Sequence, residues 1–374
     1  MLRLTHLLFL SLFVSLLAAQ KVNIEIKTLP VNNPGNSLYV AGSFNNWNPK
    51  DEQYRFSKNS DGEYFFTLKL QPGLYEFKIT RGGWDKVECN KDGSMIANRV
   101  LKVERDTTIL VDIEAWADNI AAKPKTSTAS RHVQIMDTAF YIPHLNRKRR
   151  IWIYLPENYS TTTARFPVLY MHDGQNIFED TTSYAGEWGI DEFLDTTSLT
   201  TCIVVAIDNS NRRINEYSPY GTERFGKAEG PEYLEFIVKD LKPYIDKHYR
   251  TKKNRQNTFI AGSSMGGLIS MYAILKYPKV FGGAGVFSPA FWVNPEIQNY
   301  TKEYGKRVKG KIYFYAGKQE SDEMVADMQE AYNSLKEVSK ARLQIIINEN
   351  GKHNETTWRN EFPEFYYWLM KGKN

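Results

Sequence analysis

The segment with the clearest chemical content is Gly262-Ser263-Ser264-Met265-Gly266-Gly267. The apolar run Phe259-Ile260-Ala261 leads into it as a strand, and Leu268, Ile269, Tyr272, Ala273 and Leu275 continue from it as an amphipathic helix. A Gly-x-Ser-x-Gly core between strand and helix predicts a tight elbow in which Gly262 and Gly266 leave room for neighbouring backbone. The elbow lifts the Ser264 hydroxyl to the C-terminal edge of a sheet. The following helix adds the positive end of its dipole nearby. The chemistry is nucleophilic attack, and a hydroxyl needs a base within reach to take its proton.

The chain holds 6 histidines. The chain order nucleophile, acid, histidine excludes His6, His132, His144, His172 and His248, which all precede Ser264, and leaves His353 in the loop Asn350-Gly351-Lys352-His353-Asn354. A carboxylate between Ser264 and His353, at a strand end, must orient the imidazole and stabilise its charged form. The strand-like run Lys311 to Gly317 is followed by Glu320, Asp322 and Glu323. Asp322 suits the N-cap of the helix that begins there, so Glu320 is the first choice and Asp322 the reserve. Two N–H donors must face the developing oxyanion. The expected donors are Met265, next to the nucleophile, and Gln175, in the loop after Val168-Leu-Tyr-Met-His172. His172 and Asp173 are expected to hold that loop. No metal-ligand cluster such as His-Glu-x-x-His is present, and no metal or cofactor is expected.

These residues need a scaffold, and the pattern after residue 131 supplies one. Ile151-Ile153-Leu155 alternates, whereas Val168 to Met171 and Cys202 to Ile207 are continuous apolar runs of the kind found in strands covered on both faces. Tyr233, Phe236, Ile237, Leu241, Tyr244 and Ile245 recur at helical spacing, as do Met324, Met328, Tyr332 and Leu335. Strands alternating with helices predict a mostly parallel sheet with helices on both faces. Residues 21–114 read differently. Val22-Ile24-Ile26, Tyr64-Phe66-Leu68-Leu70, Tyr75-Phe77-Ile79 and Ile109-Val111-Ile113 alternate between turns at Pro34-Gly35, Asp61-Gly62, Pro72-Gly73 and Gly82-Gly83. That pattern predicts a small all-β, immunoglobulin-like sandwich. Residues 115–131 lose the apolar period and are expected to be a linker, with 132–374 as the second domain.

Residues 132 to 372 resemble the esterase family that includes enterochelin (siderophore) esterases, feruloyl and acetyl esterases of carbohydrate esterase family one, and mycolyltransferases. The matching segments are Leu169-Tyr-Met-His-Asp-Gly-Gln-Asn-Ile-Phe178, Ile207-Asp-Asn-Ser-Asn-Arg-Arg213 with Glu216-Tyr-Ser-Pro219, Gly262 to Gly267, and Ala316-Gly-Lys-Gln-Glu320. The resemblance implies an α/β-hydrolase fold and a cofactor-free Ser-acid-His acyl-enzyme mechanism. It also places the acid three residues after a glycine, at Glu320. Substrate contacts are expected from Trp188, Arg213, Glu216, Tyr217 and Trp292, although Arg213 and Glu216 stand equally as a buried ion pair. The first domain resembles starch- and glycogen-binding modules through Val40-Ala-Gly-Ser-Phe-Asn-Asn-Trp47, Gly73-Leu-Tyr-Glu-Phe-Lys78 and Gly83-Trp84. That likeness makes Trp47, Lys78 and Trp84 the candidate glycan contacts, because indoles offer flat faces to sugar rings.

Composition narrows the remaining choices. The 48 basic and 43 acidic residues give a net charge of +5, without a long Lys/Arg block, so nucleic acid is not an expected partner. Cys89 and Cys202 are the only 2 cysteines and are read as free thiols. Arg3 followed by the apolar run Leu7 to Leu17 and then Ala18-Ala19 predicts a signal peptide over 1–19, too short to span a bilayer, with no membrane anchor and a secreted or periplasmic product. The expected function is removal of acetyl or feruloyl groups from carbohydrate. The rivals are a siderophore trilactone esterase, kept open by Arg212, Arg213 and Arg224, and a non-catalytic carbohydrate-binding protein on a hydrolase scaffold.

Overall fold

The computed structural model describes residues 18–31, 37–120, 126–199, 201–223 and 225–371. The expected signal peptide, apart from Ala18 and Ala19, the Pro34-Gly35 turn and Arg224 lie outside the described residues. The chain divides into two compact units, Met1–Pro124 and Lys125–Asn374.

The described residues of the first unit form β-strands and short 3-10 turns. Its strands are β1 (Gln20–Thr28), β2 (Tyr39–Gly42), β3 (Ser57–Lys58), β4 (Tyr64–Leu70), β5 (Gly73–Thr80), β6 (Glu88–Cys89), β7 (Arg99–Val103), β8 (Thr107–Asp112) and β9 (Ala115–Trp116). They form sheets of order β3-β4-β1-β8 and β2-β5-β7 and a small β6-β9 ladder. The alternating residues Val22, Ile24, Phe77, Ile79, Leu101, Val103 and Val111 join one apolar cluster drawn from both larger sheets. Trp116 belongs to that cluster and is fully buried. Residues 115 and 116 are therefore a paired strand of the first unit, and the expected linker starts too early. The loss of apolar period read there reflects a two-residue strand too short to show one.

The second unit is built on an eight-stranded sheet of order β10-β11-β13-β12-β14-β15-β16-β17. Its strands are β10 (Val133–Ile142), β11 (Arg147–Tyr154), β12 (Val168–His172), β13 (Ile203–Ile207), β14 (Thr258–Ser263), β15 (Gly283–Phe287), β16 (Lys311–Gly317) and β17 (Arg342–Asn348). β10, β11 and β13 pair antiparallel, and the pairings from β13 through β12 to β17 are parallel. The continuous apolar runs are those whose residues are buried along the whole strand, β12, β13, β14 and β15. Two apolar clusters within this unit share the side chains of single strands between them: Val168 and Tyr170 belong to one, Leu169 and Met171 to the other. Period-2 side chains on a sheet covered from both sides give this division.

The helices are α1 (Ile190–Thr196), α2 (Arg213–Tyr217), α3 (Gly230–Phe236), α4 (Lys242–His248), α5 (Met265–Lys276), α6 (Glu296–Tyr304), α7 (Asp322–Val338) and α8 (Glu355–Met370). The helical spacing from Tyr233 to Ile245 becomes α3, a π-helical turn over Ile237–Leu241, and α4 in continuous succession. The N-cap of α7 is Ser321, whose hydroxyl accepts from Met324 N–H. Asp322 is the first helical residue, so its expected capping role passes to its neighbour. Residues 127–130 are tied into this unit: Ser127 Oγ donates to Glu179 at 2.5 Å, Thr128 Oγ1 to Glu187 at 2.8 Å, and Ser130 N–H to Asp191 at 2.7 Å. The expected linker thus also runs too far toward the C-terminus.

Candidate active site

β14 ends at Ser263 and α5 begins at Met265, leaving Ser264 alone to make the turn. Its backbone sits at φ 58° and ψ −121°, a region non-glycine residues rarely enter and one that marks stored strain. Two flanking bonds hold it there: Ser264 N–H donates to Phe287 O at 2.9 Å, and Ala290 N–H donates to Ser264 O at 3.0 Å. The elbow is tight at Gly262, where a Cβ would stand 3.0 Å from the Gly266 backbone and 3.0 Å from the His172 ring and would force its neighbours to shift. The Met265 N–H, first in α5, has no intrahelical acceptor and is available to an oxyanion.

Farther along the same edge of the sheet, beyond the ends of β16 and β17, His353 and Glu320 meet. His353 Nδ1–H donates to Glu320 Oε2 at 2.8 Å, with the His353 side chain 37% exposed and that of Glu320 only 2%. The other carboxylate oxygen, Oε1, accepts from Gly317 N–H at 2.7 Å and from Ser288 Oγ–H at 2.7 Å. Both Glu320 oxygens are thereby occupied, which fixes the plane of the carboxylate and the tautomer of the imidazole.

Ser288 was not legible as part of this site. It follows β15, has φ 41°, and also accepts from the Trp358 indole N–H at 2.9 Å. Trp358 stands edge-on to His353 with ring centroids 5.0 Å apart. A lone Ser after a strand and a Trp in a terminal helix carry no catalytic signature. Their spacing of 70 residues hides the contact, and only the neighbouring positions of β15 and α8 reveal it.

The loop after β12 is braced from below. Asp173 takes φ 57° and opens the 3-10 turn Gly174–Asn176 that carries Gln175. Arg213 grips Asp173 with Nε at 2.7 Å and Nη2 at 2.9 Å, while Asn209 donates to Asp173 Oδ1 at 2.7 Å. Burial would raise the Asp173 carboxyl, but the Arg213 charge and these hydrogen bonds hold it below its ordinary value. The Gln175 side chain accepts from Asn209 N–H at 3.1 Å, which ties this turn to the segment after β13. His172 is buried, bonded through Nδ1 to Tyr233 Oη at 3.0 Å, and burial lowers it to about 3. It is a neutral structural residue. Glu355, two residues after His353, receives Asn176 Nδ2–H at 3.3 Å, and burial raises its carboxyl above the ordinary range.

The expected substrate contacts separate into core and surface. Trp188 is 3% exposed, stacked on Trp358 and edge-on to Phe287; it is a core residue beneath the site. Glu216 is fully buried and accepts from Arg149 at 2.7 Å, Arg147 at 2.8 Å and Ser210 at 3.1 Å. Of the two readings open for Glu216, the ion pair holds, with Arg147 and Arg149 as partners instead of Arg213. Tyr217 is also fully buried, and its hydroxyl accepts Asp173 N–H at 3.3 Å. These three were expected to face substrate because aromatic and charged residues beside a loop look alike whether they line a pocket or brace it. Trp292 remains 49% exposed and rests edge-on against Phe225.

In the first unit, Trp47 and Trp84 are half-buried neighbours with ring centroids 6.3 Å apart. Lys78 does not join them. It is 6% exposed, and its ammonium donates to Ile96 O at 2.5 Å, with burial lowering its pKa. The β5 alternation breaks at this point, since Phe77 to Thr80 are all buried.

A family profile described as "Putative esterase" matches residues 142–369. Uncharacterized protein YbbA of Bacillus subtilis is 28% identical over 246 residues, covering 62% of this chain and 96% of that protein. The endo-1,4-beta-xylanase/feruloyl esterase of Xylanibacter ruminicola is 26% identical over 234 residues, 61% of this chain and 30% of that protein. Among solved structures, the enterobactin esterase FES of Shigella flexneri superposes with a TM-score of 0.55 at 16% identity, covering 91% of this chain and 89% of that one. Sheet order and structural likeness together give the second unit an α/β-hydrolase-like fold.

Proposed function

The chain belongs to the esterase family so described and is a carboxylic-ester hydrolase, and from that premise we propose that it is an exported serine esterase that removes acetyl or feruloyl groups from carbohydrate through an acyl-enzyme. The observation that supports the mechanism is a strained Ser264 at the C-terminal end of β14 and a His353–Glu320 hydrogen bond of 2.8 Å beyond the C-terminal ends of β16 and β17, on the same edge of the parallel sheet. In this reading Ser264 Oγ attacks the ester carbonyl while His353 Nε2 takes its proton. Met265 and Gln175 N–H groups stabilise the oxyanion, and His353 returns the proton to the leaving alcohol. Water then repeats the sequence on the acyl-enzyme, releasing the acid and restoring Ser264. Glu320 keeps Nδ1 protonated throughout and stabilises the imidazolium.

Export is supported by the apolar run Leu7 to Leu17 before Ala18-Ala19. The carbohydrate assignment is supported by the Trp47–Trp84 pair on a unit we read as an immunoglobulin-like sandwich. Two such faces suit a sugar ring, and tethering a weak glycan site to the esterase raises the local concentration of polymer. The rival trilactone substrate draws support from the likeness to FES, which covers 91% of this chain. A catecholate, however, would need free cations, and Arg212 and Arg213 are already engaged by Glu229 and Asp173.

Ser264→Ala is expected to lower turnover of p-nitrophenyl acetate on the order of a thousandfold or more with folding intact. Wild-type turnover by that variant would end the mechanism. In parallel assays of acetylated xylan, methyl ferulate and a catecholate trilactone, the first two are expected to be preferred; preference for the trilactone would overturn the substrate class.

A further inference from the structure

The parallel strands β14, β15, β16 and β17 begin at Thr258, Gly283, Lys311 and Arg342, at the edge of the sheet opposite the one that carries Ser264. A cavity of about 540 Å³ opens at this edge, and its lining includes Arg255, Lys309, Lys311, Lys340, Arg342 and Lys371. Among the described residues, no carboxylate side chain lines it. Among the described residues, none brings a carboxylate within ion-pairing distance of these six side chains. Four separate stretches of chain converge to produce this. In a protein with 43 acidic against 48 basic residues, local charge balance would place acids among them.

The cations are held in two ways. Lys311 Nζ donates to Leu369 O at 2.8 Å and Lys371 O at 2.9 Å, closing the end of α8, and the Arg342 guanidinium lies over the Trp368 ring at 5.6 Å. Bare backbone forms part of the cavity wall: a Cβ at Gly310 would stand 2.5 Å from Gly282 O.

We propose that this cavity binds a small molecule carrying two or more phosphate-type oxyanions. Its volume is that of a small-ligand site. Arg255 and Arg342 can each fork onto two oxygens of one group, and Lys309, Lys340 and Lys371 supply point charges to others. A concave wall lined by one sign of charge focuses the field on an entering anion. A nucleic-acid strand is the less favoured occupant, because it needs aromatic faces for its bases and Phe259, the aromatic residue of the lining, is 1% exposed.

Calorimetric titration of the full chain at low salt tests the site with two probes, inorganic tripolyphosphate and fructose 1,6-bisphosphate. Binding is expected, weaker at higher salt, and at least tenfold weaker in Arg255→Gln/Arg342→Gln. Turnover of p-nitrophenyl acetate is expected to stay unchanged, and Lys309→Gln/Lys340→Gln serves as a second variant if the first loses its fold. Tighter binding of the bisphosphate assigns the natural ligand to phosphorylated sugars, and tighter binding of tripolyphosphate assigns it to inorganic polyphosphate. Absence of heat with both probes, or equal affinity in wild type and folded charge variants, would overturn the site. So would retention of a single-stranded oligonucleotide without any binding of tripolyphosphate.

Discussion

Ser264 illustrates how one residue carries opposed demands. Its backbone at φ 58° and ψ −121° costs on the order of 1–3 kcal/mol for a side chain with a Cβ, and glycine is free of most of that cost. Ser264→Gly is therefore expected to raise the urea midpoint while abolishing turnover; an unchanged or lower midpoint would show that the elbow stores no strain. The acid is tested by comparison: Glu320→Gln should lose far more turnover than Asp322→Asn, because Glu320 holds the His353 hydrogen bond. Ser288 hydrogen-bonds both Glu320 and Trp358. Ser288→Ala is expected to lower kcat about tenfold with KM little changed, and restoration by Ser288→Thr would separate lost hydrogen bonding from general damage.

At the scale of elements, carboxylates and guanidinia join β11 to α2 and to the start of α3. Arg147 on β11 reaches Glu216 at 2.8 Å and Glu229 at 2.6 Å. The hydrogen bond from Arg147, reinforced by Arg212, holds the Glu229 carboxyl down at about 2. A carboxyl depressed in the folded state contributes stability in full above its unfolded value near 4.5 and loses it as pH falls through about 2. Glu229→Gln is thus expected to unfold at lower urea than wild type at pH 7, and the gap between them should close as pH falls from about 5 toward 2. A constant gap across that range would remove Glu229 from the account. His172, held at about 3 by burial, adds loss of stability from its ordinary 6.5 downward, because the unfolded chain takes up that proton first.

For the whole molecule, the division at Pro124 and Lys125 sets where the chain can be cut. A protein beginning at residue 125 keeps the bonds of Ser127, Thr128 and Ser130 and is expected to hydrolyse p-nitrophenyl acetate at the full-length rate. One beginning at residue 131 loses all three and should melt lower. On the carbohydrate reading, Trp47→Ala/Trp84→Ala should weaken retention on an insoluble polysaccharide without changing turnover of small esters. Equal retention of this variant and the wild type would remove the binding role from the first unit.

Much of the candidate site was legible before folding because its signals are local or ordinal. Gly262-Ser-Ser-Met-Gly266 between strand and helix is a contiguous pattern. His353 follows from chain order alone, and the alternation from Val22 to Val111 and the apolar runs of β12 and β13 are set by side-chain periodicity. Other features depend on which distant segments meet. Glu216 is buried because Arg147 and Arg149, 69 and 67 residues earlier, lie against it. Lys78 is removed from the glycan face by one carbonyl 18 residues later. Ser288 joins Glu320 and Trp358 across 32 and 70 residues, and the six cations of the cavity come from four separate stretches of chain. Periodicity determines which residue types face inward, but the partner that satisfies or isolates a buried charge is chosen only when the chain closes on itself.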